Sequence, residues 1–262
     1  MFAGESLRSS SGGLETAPPS YLPVTSQFPP SYHLPQFPRI PRFPAMDESA
    51  LLRFYCPFAD TTLLQNRLPH WEQMGATYFV TFRLADSVPR ELRERWIRDR
   101  NDWLKRNPPP HTAGQEMEYH RLFSNQIEEW LDAGMGSCVL RVPDAAALVA
   151  AALMHFEGAR CHQTAFVVMP NHVHALFTTL NGEQVPALVK SWKGFTSRKL
   201  RESLGERWPG WQKDYYDRIV RDRIHFGRCV RYIRRNPEKA KLRESDFVHH
   251  ESPLAKSMIT GA

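Results

Sequence analysis

Two strand-length apolar runs at the centre of the chain, HQTAFVVM and HVHALFTTL, constrain its fold most strongly. Their β-branched and aromatic residues favour strands, and Pro170 and Asn171 between them are typical of a hairpin turn. The second run carries His172 and His174 at alternate positions. Because successive side chains of a strand point to opposite faces, the two imidazoles are predicted to share one face while their neighbours point into a core.

The segments around this hairpin predict the order strand, helix, strand, strand, helix, strand, followed by a last helix. That order is the split βαβ pattern of a ferredoxin-like α+β fold with a largely antiparallel sheet, which by itself indicates no activity. The predicted elements are a strand at 75–84, a helix at 144–159 capped by Asp144 and closed by Gly158, the hairpin, a basic helix at 185–204, a short strand at 214–220, and a helix after residue 220 that Pro237 ends or kinks.

Two segments lie outside this pattern. Residues 1–45 are rich in Pro, Ser and Gly, which predicts a disordered or polyproline-type tail and leaves 46–262 as the folded domain. Between the first strand and the next core element, at about 87–137, two charged segments have apolar residues at helical spacing. We therefore expect a helical insertion in the domain.

The composition bounds the environment and the partners of the chain. Its formal net charge of +6 and isoelectric point of about 9.2 favour an anionic partner. Four scattered cysteines without a CxxC pair are typical of a reduced, intracellular protein. No run approaches the roughly 20 apolar residues that span a bilayer, and no signal-peptide pattern is present. We expect a cytoplasmic protein that binds no membrane.

The positive charge concentrates in the last two predicted helices. Their lysines and arginines alternate with aromatic residues such as Trp192 and Phe195, a combination that suits a nucleic-acid backbone. A charge run alone is more often a solvated face, so this assignment depends on the neighbouring motifs. The candidate DNA-contacting residues are Lys190, Lys193, Arg198, Arg218, Arg228, Arg231 and Arg235.

Two neutral imidazoles on one strand face can hold a divalent ion, but His-x-His alone is a weak motif that more often marks a hydrogen-bonded structural pair. The final helix offers further polar groups. Tyr232 and Asn236 are four residues apart and therefore share a helix face. Taken singly, Tyr232 is typical of a core-rim tyrosine, and Asn236 before Pro237 of a helix end.

In combination, the motifs VVMPNHVHALF, WQKDYYDRIVRD and RYIRRNPEKAKL resemble the single-tyrosine HUH transposases, most closely the REP-associated tyrosine transposases of the IS200-like group. HUH denotes His-hydrophobic-His, here residues 172–174. The family's nucleophilic tyrosine lies in the context Tyr-Ile-x-x-Asn-Pro, which places that role on Tyr232. Its third metal ligand follows one turn later, at Asn236. The resemblance covers roughly residues 75–245.

The resemblance implies metal-dependent cleavage and strand transfer of single-stranded DNA at hairpin, REP-like sequences. Tyr232 would be the nucleophile of a 5′-phosphotyrosine intermediate. His172, His174 and Asn236 would hold Mg²⁺ or Mn²⁺. The implied partner is single-stranded hairpin DNA, and the protein would act as a monomer or a homodimer.

Several alternatives stay open at this point. A non-catalytic hairpin DNA- or RNA-binding protein would keep the fold without the chemistry, and a metal-dependent hydrolase would use the histidines to activate water without a covalent step. Tyr215 and Tyr216 are rival nucleophiles, less favoured because they lack the companion amide. His225 precedes Tyr232 by two helical turns and is a further candidate for a phosphate or metal contact.

Overall fold

The computed structural model describes residues 48–65, 69–108 and 111–257. The tail predicted for residues 1–45 lies outside this part of the chain. Where helices and strands are described, they follow the predicted order, with additions at both ends. In chain order they are α1 (Glu48–Leu51), β1 (Thr62–Gln65), β2 (Pro69–Glu72), β3 (Thr77–Arg83), α2 (Arg90–Arg106), α3 (Ala113–Tyr119), α4 (Asn125–Asp132), α5 (Pro143–Met154), β4 (Cys161–Val168), β5 (His172–Thr179), α6 (Val185–Leu204), β6 (Tyr216–Ile219), α7 (Arg223–Lys239), β7 (Val248–Glu251) and α8 (Pro253–Ser257).

The main sheet has five strands in the order β6-β3-β5-β4-β7, and all neighbours pair antiparallel. The first four are arranged as in a ferredoxin-like sheet, which confirms the predicted α+β class. Strand β5 is central and buried along its whole length. Its start pairs with the end of β3, so that His172 lies opposite Arg83 and His174 opposite Thr81.

Two hydrophobic cores cover the two faces of this sheet. On one face, Phe82 and Phe177 pack against α5 and α6, and Trp192 of α6 meets the Phe177 ring edge-on at 5.2 Å between centroids. On the other face, Leu176 packs with Phe226 and other residues of α7. Because side chains alternate along β5, the histidines share the face that α7 covers.

Residues between β3 and α5 form the helices α2, α3 and α4, with a π-helical turn at His120–Ser124 between the last two. Trp103, Phe123 and Leu131 are buried among these helices, and the Trp103 and Phe123 rings lie 6.2 Å apart. The segment predicted as an insertion therefore has an apolar cluster of its own. No helix in the described ranges is long and apolar enough to cross a membrane.

The predicted start and end of α5 were both wrong, and of the two effects predicted for Pro237, ending or kinking the last helix, the first does not occur. Helix α5 begins at Pro143 after the extended residue Val142, so Asp144 lies in the first turn and does not cap it. Proline fits a first helical position because its missing N–H would have no partner there. Gly158 lies four residues after the end of α5, in a turn with φ of +71°. Pro237 does not end α7, which continues to Lys239.

Candidate functional site

The start of β5 and the end of α7 bring together the three side chains predicted as metal ligands. His172, His174 and Asn236 are only 1%, 2% and 1% exposed. The two histidine Nε2 atoms lie 3.0 Å apart, and the Asn236 Nδ2 atom lies 3.5 Å from Nε2 of His174. Phe226, Val230 and Ile233 of α7 pack against the sheet, and this packing orients Asn236 toward the histidines.

Each imidazole is oriented from its other nitrogen. His172 Nδ1 lies 2.7 Å from the Asn171 side-chain oxygen, an acceptor, so Nδ1 carries the proton and Nε2 keeps a lone pair. His174 Nδ1 lies 2.8 Å from the Thr81 hydroxyl, which can donate or accept. His174 can thus donate from Nε2 to His172, or shift its proton to Nδ1 and present a second lone pair. Such outer hydrogen bonds are typical of metal-binding histidines.

Burial keeps both imidazoles neutral. It lowers the pKa of His172 to about 3, helped by the positive charge of Arg83, and it lowers the pKa of His174 well below its usual value. Neutral imidazoles are the form that binds metals. The buried Asn236 Oδ1 has no hydrogen-bond partner in the described part of the chain.

The donor set fits a divalent ion. Two ligand atoms 3.0 Å apart match the edge of an octahedron with metal–ligand distances of about 2.1 Å. An unpaired amide oxygen is available as a third donor. No group of three His, Cys, Asp or Glu side chains within the described residues forms a metal cluster. Beside the two histidines, the predicted third donor is the neutral amide of Asn236.

Tyr232 packs directly on these residues. Its ring meets His174 edge-on at 5.1 Å between centroids and Phe79 at 5.7 Å. Its hydroxyl is shielded from solvent and approaches the Asn236 amide and the Glu128 carboxyl without a hydrogen bond of good geometry. Burial raises the pKa of Tyr232, and the negative charges of Glu128 and Asp132 raise it further. The phenol is therefore protonated and needs a proton acceptor before it can attack.

Sequence reasoning missed the contribution of the helical insertion to this site. Asn171 donates from Nδ2 to the backbone oxygens of Leu131, at 3.2 Å, and Met135, at 3.0 Å, at the end of α4. The Asp132 carboxylate forms an ion pair with Lys239 of α7 at 2.6 Å. These contacts hold α4 against the histidines and bring its acidic residues beside Tyr232. Only long-range packing reveals this, because the helix pattern of α4 resembles any amphipathic surface helix.

Arg83 is a second residue that the sequence did not predict for the site. It lies opposite His172 in the β3–β5 ladder, on the histidine face, and donates to the Ser87 hydroxyl at 2.9 Å. Burial, together with the positive charge of nearby Arg93, lowers the pKa of Arg83 to about 10. No carboxylate forms an ion pair with Arg83 among the described residues. A half-buried, uncompensated guanidinium is suited to an anion such as phosphate.

The predicted DNA-contacting residues divide between the two faces of the sheet. Arg218 lies on the histidine face of β6, where it donates to Tyr216, and the α7 arginines are exposed. Lys190 and Lys193 instead line a cleft between α6 and residues 211–215 on the opposite face. Exposed Arg198 lies on the same helix. The α7 arginines are Arg228, Arg231 and Arg235.

The rival nucleophiles and His225 lie farther from the histidines. Tyr215 is buried in the core on the α6 side. Tyr216 shares the histidine face but pairs with Thr81 and is separated from β5 by β3. His225 accepts at Nδ1 from the backbone N–H of Arg221 at the start of α7. Of these aromatic side chains, only Tyr232 packs on His174.

Comparison with known proteins identifies one family. Residues 148–236 match the family model described as transposase IS200 like. This span begins in α5 and ends at Asn236, so it contains both histidines and Tyr232. The family resemblance predicted from the sequence is thereby confirmed. No curated protein matches the chain significantly.

Two solved structures are distantly similar. One is a REP-associated tyrosine transposase bound to a REP hairpin, with 14% identity, a TM-score of 0.33, and coverage of 67% of this chain and 74% of that one. The other is a protein from Deinococcus radiodurans R1 described as a candidate transposase, with 12% identity, a TM-score of 0.26, and coverage of 71% and 98%. Scores this low carry no argument about the present chain.

Proposed function

We propose that this protein, whose residues 148–236 match the transposase IS200-like family model, is a DNA-processing enzyme that cleaves and rejoins single-stranded DNA through Tyr232. The observation that carries the proposal is the contact of the Tyr232 ring with His174, beside the unpaired amide oxygen of Asn236. All of these side chains come from one chain, and the protein is proposed to act as a monomer or a homodimer. Hairpin, REP-like DNA is proposed as the substrate from the family resemblance.

The proposed chemistry follows from the positions of these side chains. Mg²⁺ or Mn²⁺ held by His172, His174 and Asn236 would polarise the scissile phosphate. The Tyr232 oxygen forms a bond to phosphorus while the bond from phosphorus to the 3′ oxygen breaks, which leaves a 5′-phosphotyrosine and a free 3′-hydroxyl. Glu128, which approaches the phenol, would accept its proton, and a water molecule would protonate the departing 3′ oxygen. Attack by a 3′-hydroxyl on the phosphotyrosine reverses the step and joins DNA strands.

The test is incubation of the protein with single-stranded hairpin oligonucleotides and Mn²⁺, followed by a denaturing gel and mass spectrometry. We expect a DNA adduct on Tyr232 that is absent with EDTA and absent in Tyr232→Phe. Cleavage that persists in Tyr232→Phe without any adduct would establish the hydrolase instead. Hairpin binding without cleavage, unchanged by EDTA or Tyr232→Phe, would establish a non-catalytic binding protein.

A further inference from the structure

A cleft on the side of the sheet away from the histidines has the character of a nucleotide-binding site. It has a volume of about 350 Å³, within the range of small-ligand pockets. Helix α6 forms one wall and residues 211–215, before β6, form the other. The lining includes three lysines, Lys190, Lys193 and Lys213, and two aromatic residues, Trp211 and Tyr215.

The aromatic wall is rigid. The Trp211 indole donates from Nε1 to the Thr196 hydroxyl at 2.9 Å, and its ring packs edge-on against Phe82 at 4.9 Å. The indole is therefore fixed in place before any ligand arrives. Fixed aromatic rings beside basic side chains are the usual platform for single-stranded nucleic acid, because every base can stack and every phosphate is anionic.

Three lysines and no acidic residue line the cleft among the described residues, and the Asp214 carboxylate lies close enough to act on Lys193. Lys193 donates to the backbone oxygens of Gln212, at 2.7 Å, and Lys213, at 3.0 Å, which leaves one of its three N–H groups for another acceptor. Burial lowers the pKa of Lys193 to about 8, although the Asp214 carboxylate opposes this shift. An anion in the cleft would stabilise the ammonium form. Lys190 and Lys213 are exposed at the rim.

Gly194 lies within α6 at the cleft wall, where helix packing does not require a glycine. A Cβ at this position would meet no heavy atom within 4 Å. Glycine inside a helix is less stable than alanine by about 1 kcal/mol. The absence of a side chain at Gly194 keeps the cleft open, although it makes α6 less stable than an alanine would.

The cleft is linked to the candidate catalytic site through the backbone. The Gln212 N–H donates to the Arg83 carbonyl at 2.8 Å, and Trp211 pairs with Leu84 in an isolated antiparallel β-bridge. Arg83 in turn lies opposite His172. The cleft and the histidines therefore lie near the same end of β3, on opposite faces of the sheet.

We propose that this cleft binds one nucleotide of the single-stranded flank of the DNA substrate, with its base against Trp211 and its phosphate among the lysines. This inference rests on the proposed function, because it takes the occupant to be the DNA strand that Tyr232 cleaves. The site would hold the flank on the opposite face of the sheet while the scissile phosphate lies at the histidines.

The test compares binding of oligo(dT), a flankless hairpin and dTMP by fluorescence anisotropy and competition. Gly194→Leu fills the cleft from a position with free space, so its fold should be retained. We expect Gly194→Leu to weaken oligo(dT) binding at least fivefold, which is more than Gly194→Ala does. Its affinity for the hairpin without a single-stranded flank should not change. The double variant Lys190→Gln with Lys213→Gln should weaken oligo(dT) binding similarly and lower the salt slope by about 0.7, the value for one phosphate contact on a single strand. Arg201→Gln, on the same helix and outside the cleft, is the matched control.

Several results would overturn the proposal. These are wild-type affinity for oligo(dT) in both the Gly194→Leu and the double lysine variant, equal weakening of the flankless hairpin, or dTMP competing as well as oligo(dT). If Gly194→Leu fails to fold by circular dichroism, the lysine variant decides. Adduct formation on Tyr232 is measured in parallel at saturating DNA. If the cleft variants lose oligo(dT) binding and the wild-type protein forms no adduct, the proposed chemistry is rejected and the cleft proposal is kept. If the wild-type protein forms the adduct and the cleft variants bind oligo(dT) normally, only the cleft proposal is rejected.

Discussion

At the scale of single residues, side chains that are not proposed metal ligands control which nitrogen of each histidine carries the proton and which keeps a lone pair. Asn171 does this for His172 with one amide: its oxygen accepts from Nδ1, and its nitrogen is held by two carbonyls of the insertion. These two hydrogen bonds also fix which way the amide faces. The tautomer of His172 therefore depends on residues more than 35 positions earlier in the chain.

Replacing Asn171 should weaken metal binding more than it changes the fold. Asn171→Ala removes the acceptor for His172 Nδ1, and we expect a roughly 10- to 100-fold loss of Mn²⁺ affinity by calorimetry. Asn171→Asp keeps the acceptor and should lose less. Nitrogen NMR of the apo protein should show His172 with its proton on Nδ1 in wild type and a mixture of tautomers in Asn171→Ala. Equal Mn²⁺ affinity in all three proteins would contradict this role.

Arg83 should act on the DNA and not on the metal. Removing a charged hydrogen-bond partner typically costs about 1.5–3 kcal/mol. Arg83→Gln is therefore expected to lower kcat/KM for hairpin cleavage roughly 10- to 100-fold while Mn²⁺ affinity stays at the wild-type value. Arg83→Lys keeps the positive charge but lacks the planar guanidinium group with its paired N–H donors. Its kcat/KM should therefore lie between those of wild type and Arg83→Gln. Cleavage by Arg83→Gln at the wild-type rate would show that no phosphate contacts this residue.

At the scale of elements, the geometry of α7 accounts for the positions of Tyr232 and Asn236 together. Its apolar stripe packs on the sheet, and the four-residue spacing then places Tyr232 and Asn236 toward the histidines. Pro237 follows at once without ending the helix. Helix α4 covers the same site from the other side. Its attachment depends on the Asn171 amide and on the ion pair between Asp132 and Lys239.

Breaking that ion pair should loosen α4 locally. Asp132 is 12% exposed at its side chain and Lys239 54%, so the pair is expected to contribute no more than about 1 kcal/mol. Asp132→Asn should speed hydrogen exchange at residues 125–135 about fivefold and leave β4 and β5 protected. Lys199→Gln, which breaks the exposed pair with Glu202, is the matched control. Protection of α4 unchanged in Asp132→Asn would mean that the ion pair does not hold the helix.

For the whole molecule, metal binding and folding should be coupled because the proposed ligands meet only in the native state. They come from β5 and α7, and His174 and Asn236 are 62 positions apart. A ligand at a hundredfold excess over its Kd stabilises the native state by about 2.7 kcal/mol. Saturating Mn²⁺ should then raise Tm by about 5 to 10 °C. His172→Ala should abolish this rise in Tm. A rise of the same size in that variant would show that the ion binds at another site.

The sequence by itself determined the features that depend on local periodicity. Strand alternation placed His172 and His174 on one face, the helical repeat placed Tyr232 and Asn236 together, and the βαββαβ order predicted the ferredoxin-like sheet. Strand β7 and the hairpin of β1 and β2 were missed. β7 is the four-residue edge segment VHHE, in which polar residues mask the alternation.

Only the tertiary structure decided which elements meet. The sheet register placed Arg83 beside His172, the docking of α4 brought Glu128 to Tyr232, and the approach of residues 211–215 to α6 formed the cleft. The physical reason is that backbone geometry fixes the direction of side chains within an element. Contacts between elements far apart in the chain depend instead on the packing of the whole core, which no local pattern records.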